Sequence, residues 1–99
     1  MTVGEVIDEA AASLGSIDRR EAGDGIEYLA RGRAFAVVAS DTAEFRLEPI
    51  VARAALGTPD TASSIRGPDW VAFRPRELDQ FARDRAAAWF VSAWRRAQG

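Results

Sequence analysis

Few side chains in this sequence can move a proton, hold a metal or attack a carbonyl. Fifteen carboxylates, thirteen arginines, one tyrosine and scattered hydroxyls carry the polar chemistry of 99 residues. Lysine, histidine and cysteine do not occur. The missing cysteine removes disulfides, thiol nucleophiles and the usual structural zinc and iron–sulfur sites. The missing histidine removes the imidazole base and with it the usual catalytic triad. The missing lysine removes Schiff-base chemistry, the Ser–Lys dyad and the Gly-Lys-Ser/Thr phosphate loop. A serine nucleophile would have only a carboxylate as base, a poor match near neutral pH. Carboxylates holding Mg²⁺ stay open, because hard cations take oxygen ligands. Asp24 with Glu27, and Glu44 with Glu48, are the close acidic pairs. Glu44, Arg46 and Glu48, however, share one strand face as a charge-balanced solvent surface. No catalytic residue, metal ligand or cofactor is assigned, and a non-enzymatic binding domain is expected.

Arginine is the only cation left to meet an anion, and it does so bidentately. Arg31 and Arg33 flank a turn, and Arg66, Arg74 and Arg76 bracket Trp70. These five are the candidate contacts for nucleic acid or another anion. The charge balance opposes that reading. The sequence pI is near 5.1 and the net charge is −2, whereas DNA binders carry a strong basic stripe. Residues 1–50 hold ten acids and five arginines, and residues 51–99 hold five acids and eight arginines. Asp18, Glu21, Glu44, Glu48 and Asp69 are acids with which these arginines can pair. A second candidate is a small-molecule or anion pocket in the 58–68 loop, where Thr58, Thr61, Ser63, Ser64 and Arg66 offer donors. A third is an aromatic flank of the last helix, Arg83, Phe90 and Trp94, whose rings either pack under the first helix or form a protein-partner or homodimer interface.

The elements that must position these residues follow from periodicity. Thr2-x-x-Glu5 is a capping box opening a helix over 3–14, with Gly15 as its stop. Val3, Val6, Ile7, Ala10, Ala11 and Leu14 recur at helical spacing. Period-two stretches follow, broken at Gly23-Asp24-Gly25, Arg31-Gly32-Arg33 and Ser40-Asp41-Thr42. Phe35, Val37 and Ala39 share one face of a strand that is apolar on both faces and so belongs in the middle of a sheet. Pro49 starts a short helix over 49–56, ended by Gly57. Residues 58–64 form a polar loop, and Trp70–Phe73 a short strand. A long helix over 76–97 has Glu77 and Asp79 in its first turn and Arg95 and Arg96 in its last, each suited to the helix dipole. Asp79 and Arg83 form an i,i+4 pair. Trp70 and Trp89 are expected in the core.

The fold class expected is α+β: one domain over residues 1–99, an antiparallel meander of four to five strands with the N-terminal and long C-terminal helices packed on it. The composition, 47% hydrophobic and 28% charged, is that of an ordinary globular domain. No apolar run approaches the ~20 residues that span a bilayer. The N-terminal stretch carries acids early and lacks the basic region of a secretory signal. The cytoplasm is the expected location.

Several segments resemble the YjbR/MmcQ-like family. Gly32-Arg33-Ala34-Phe35-Ala36 is similar to that family's glycine-led strand. Ala43-Glu44-Phe45-Arg46-Leu47 resembles its next strand, and Arg66-Gly67-Pro68-Asp69-Trp70-Val71 its Trp-containing strand. The likeness spans residues 3–97, although the family's middle strands commonly bear lysines where this chain has only arginine. A small luciferase-associated domain family has a similar layout. The resemblance implies a small "double-wing"-like bacterial domain with DNA binding as an attached label. That label rests on fold analogy, and fold does not carry function. No catalytic residue comes with it.

Overall fold

A computed structural model describes all 99 residues. The chain is α+β, as its periodicity indicates. The order is α1 (Val3–Ala12), β1 (Asp18–Ala22), β2 (Gly25–Ala30), β3 (Arg33–Ala39), β4 (Thr42–Arg46), α2 (Pro49–Leu56), β5 (Thr61–Ser63), β6 (Trp70–Phe73) and α3 (Gln80–Gln98). Six antiparallel strands form one sheet in the order β1-β2-β3-β4-β6-β5. The meander therefore holds for four strands only. The stretch read as a polar loop contains a sixth strand, β5, whose hairpin partner β6 returns between β4 and β5. Three residues are too few for a period to show.

The α1 capping box forms as its spacing dictates. The Thr2 hydroxyl accepts from the Glu5 amide at 3.1 Å, and the Glu5 carboxylate accepts from the Thr2 amide at 2.8 Å. That backbone bond holds the Glu5 carboxyl below the usual carboxylate range. α1 stops at Ala12, short of Leu14, because Ser13 caps it through the Ala10 carbonyl. The long helix also begins later than expected. Asp79 sits outside it as N-cap and accepts from the Ala82 amide at 2.9 Å. Residues 74–78 stay off the helix because Asp60 accepts the Arg74 amide through its carbonyl and the Arg76 amide through its carboxylate. Arg31 and Gly32, at φ 52° and 76°, make the two-residue β2–β3 turn, where φ > 0 suits the strand twist.

All three helices lie on one face of the sheet. Tyr28, Ala36, Phe45, Val71 and Phe73 point to that face and join a single core with Val3, Val6, Ile7, Ala52, Ala55 and the α3 residues Ala82, Ala86, Phe90, Ala93 and Ala97. A bulge changes the face of Phe35. Tyr28 pairs with Ala36 but Leu29 pairs with Ala34, which leaves Phe35 as the extra residue. Phe35 and Ala36 are thus buried side by side, and Val37 and Ala39 lie on the opposite face from Phe35. Phe90 takes the space made, 5.2 Å from the Phe35 ring and 5.3 Å from Tyr28 in a T-shaped contact. Trp89 fills the neighbouring space edge-on to Phe73 at 5.1 Å. No helix is long and apolar enough to cross a membrane.

Candidate functional site

The other face of the sheet carries no helix, and six charged side chains lie on it or at its corner. Strand register fixes its composition. Arg20 lies opposite Glu27, Glu27 opposite Val37, Val37 opposite Glu44, and Glu44 opposite Ala72. One step along the strands, Asp18 is opposite Leu29, and Arg46 is opposite Trp70. Leu29 and Val37 are buried here, at 7% and 2% exposure, yet neither belongs to the helix-side core. Their cover comes from neighbouring side chains on an otherwise open sheet.

The β5–β6 loop builds one corner of this face. The Ser64 hydroxyl donates to the Glu44 carboxylate, and the Arg66 amide donates to the Ser64 oxygen at 3.1 Å. The Arg66 guanidinium lies 3.3 Å from Glu44 and over the Trp70 ring, 5.7 Å from its centroid. Gly67 turns the chain beside Trp70 at φ 155°, a backbone conformation that side-chain-bearing residues rarely adopt. Trp70 is half-buried in this corner beneath Arg66, and not in the core where it was expected. Arg20 donates to Glu27 from Nε at 2.9 Å and from Nη2. Arg46, half-buried between Glu44 and Trp70, forms no ion pair or side-chain hydrogen bond, and Asp18 forms none either. Three cations, Arg20, Arg46 and Arg66, thus share the face with three anions, Asp18, Glu27 and Glu44.

The five arginines considered for an anion are not brought together. Arg31, in the β2–β3 turn, donates to the Gln98 side chain at 3.2 Å on the helical layer. Arg33 is exposed at the start of β3. Arg66 is on the helix-free face. Arg74 and Arg76 follow β6 at the opposite end of the sheet, where they meet Asp41 at 3.2 Å and Asp60 at 3.3 Å. That polar hollow, lined by Asp41, Asp60, Arg74, Pro75 and Arg76, holds two ion pairs of balanced charge, one exposed and one on a half-buried Asp60. Of the acids considered as partners, Glu44 and Asp69 do pair, with Arg66 and Arg96; Asp8, Glu27, Asp41 and Asp60 supply the others.

Three of the four loop hydroxyls are spent internally, and Ser63 is exposed. Thr58 donates to the Ala55 carbonyl at 2.6 Å, Thr61 to the Ala55 and Thr58 carbonyls, and Ser64 to Glu44. The aromatic flank packs into the fold, although the buried Trp94 Nε1 has no hydrogen-bond partner. Phe90 is fully buried, so it is a core residue and offers no exposed surface. Trp94 packs half-buried against the same core. Arg83 donates to the Leu78 carbonyl at 3.0 Å and to Gln80 at 2.9 Å, not to Asp79, whose carboxylate caps the helix. Arg83 lies on the side of α3 on which α1 packs, lining a hollow with Val6 and Ala10.

One cluster escaped the sequence reading. The Tyr28 hydroxyl, on the helical face, donates to Asp8 of α1 at 2.7 Å, and Arg19 approaches the same carboxylate at 3.5 Å. Burial first, and the Asp8 hydrogen bond second, push the Tyr28 phenol far above its ordinary value. The phenol stays neutral and acts as a donor tying α1 to the sheet. Compared with protein-family models, with curated proteins and with solved structures, the chain matches none.

Proposed function

We propose that this chain is a non-enzymatic protein-binding module whose contact surface is the helix-free face of the sheet. The observation that carries the reading is the placement of all three helices on one face. A half-buried Trp70, an Arg46 without an ion pair and the buried pair Leu29 and Val37 are left on the other. Tryptophan and arginine are the residues most enriched among those that dominate protein interfaces. The restrained Arg66–Trp70 stack is pre-organised, which lowers the ordering cost of binding.

A protein fits this face better than a nucleic acid. Phosphate contacts need uncompensated cations, and here three arginines sit among three carboxylates. The YjbR/MmcQ resemblance and its DNA-binding label therefore add less than the charge balance of the face.

The test places a photo-crosslinking residue at Ala72, on this face, and at Glu9, on the exposed side of α1, in the native host. A protein adduct at position 72, lost in Trp70→Ala and missing at position 9, supports the reading. Nucleic-acid adducts at position 72, or filter binding of nucleic acid that weakens steeply with salt, overturn it.

A further inference from the structure

We propose that the partner on this face is a second copy of the chain, stacked face to face about a two-fold axis that lies in the interface and runs across the strands. The inference rests on the reading above and names the occupant of the same surface. Such an axis lays each strand over its own counterpart and inverts positions along it. A residue in one row of the face then meets the residue two positions away in the other row.

The face is self-complementary under that operation. β4 presents Glu44 and Arg46 outward, and β1 presents Asp18 and Arg20 outward. Arg46 then faces Glu44 of the partner subunit, and Asp18 faces Arg20 of the partner subunit, each twice by symmetry. The two charged groups of this face that have no ion pair within the chain, Arg46 and Asp18, both gain one. On β6, Trp70 comes over Ala72 of the partner subunit, large over small. Glu27 enters the interface already neutralised by Arg20. An axis along β3 fails, because it sets Glu27 against Glu44 of the partner subunit, and like charges across an interface repel.

The area suffices for a modest dimer. Six strands about 4.8 Å apart, five offering two to three outward residues and β5 only Ala62, present roughly 400 Å² in projection per copy. Two corrugated copies reach about 1,000 Å² of buried surface, the lower bound for a specific interface. Opposite edges of the sheet do not compete. β1 is guarded by Asp18, Arg19, Arg20 and Glu21, and β5 has only three residues.

The experiment is sedimentation equilibrium of the purified chain with a charge-crossing series. The wild type is expected to dimerise by about 100 µM, as an interface of this size allows. Arg46→Glu makes the β4 pair wholly acidic and Glu44→Arg makes it wholly basic. Each alone is expected to weaken dimerisation at least tenfold, and an equimolar mixture of the two to restore a dimer. Asp18→Arg, on the exposed edge strand, gives the same weakening without touching the Glu44–Ser64–Arg66 network. Circular dichroism verifies that each variant is folded. A monomeric wild type at that concentration, variants that dimerise as well as wild type, or a mixture that stays monomeric overturns the proposal. The crosslinking outcome at position 72 is independent: an adduct to a different protein sinks the second copy while leaving the face as the binding surface.

Discussion

Tyr28 is the chain's one tyrosine, so its ionisation can be followed without ambiguity. Its folded pKa is raised, so the stability it contributes is fully present below the unfolded value of about 10 and is lost as pH rises through the folded value. Tyrosinate absorbance in the folded protein is expected to rise only well above that pH, and the unfolding free energy to fall across the same range. Tyr28→Phe should cost about 1 kcal/mol at neutral pH, the net worth of one hydrogen bond, and flatten that alkaline slope. Denaturant titrations at stepped pH read both. Phe90 makes a different residue-scale case. Its ring closes the space opened by the β3 bulge, so Phe90→Ala is expected to cost about 3–5 kcal/mol. Equilibrium unfolding and sedimentation of that variant should show a stability defect with dimerisation changed no more than unfolding explains; a selective loss of dimers would return Phe90 to an interface. Nothing in the residue types showed this. Phe90 and Trp94 sit four apart on a helix flank, and that spacing suits core and interface equally well.

Helix starts were only partly legible, because several residues compete to cap one end. Thr2 and Glu5 had no rivals, and α1 begins where their spacing places it. Before α3, Pro75, Glu77 and Asp79 each offer a plausible start, and the decision falls to Asp60, eleven residues upstream of Val71 and remote from the helix in sequence. Its hold on the Arg74 and Arg76 amides keeps residues 74–78 extended or bent, and Asp79 then caps. Asp79→Ala is expected to lose about 1 kcal/mol, while Glu77→Ala stays within about 0.5 kcal/mol; urea midpoints of the two distinguish a start at 80 from one at 76. Arg96 shows the same dependence on distant partners. In the sequence it is a cation suited to the last helical turn. In the fold it donates to the Leu47 carbonyl and, at 2.9 Å, to Asp69, and so clamps the end of β4 to the start of β6. Arg96→Ala is expected to cost about 1–3 kcal/mol, more than a dipole interaction alone, as chemical denaturation would measure.

At the scale of the molecule, the proposed dimerisation through the open face would make stability depend on concentration. Anything that binds the folded state alone raises its apparent stability by mass action. The wild-type melting temperature is therefore expected to climb with protein concentration, and that of Asp18→Arg to stay flat, in calorimetric scans over the same range. The sequence by itself determined the α+β class, the alternation of β4 that sets Glu44 and Arg46 on one face, the first three hairpin turns and the exclusion of thiol, imidazole and amine chemistry. Those features depend on residue type and on spacings of a few positions, which local sterics and hydrogen bonding convert directly into backbone geometry. Only the tertiary structure decided that β5 is a strand, that Phe35 changes face at a bulge, that Trp70 lies outside the core and that the arginines disperse to two faces and two ends of the sheet. Each of those depends on which distant segment supplies a hydrogen-bond partner or a space to fill. For the same reason the surface of interest is the sheet face that no helix covers, and not the helix flank that the aromatic spacing alone had marked out.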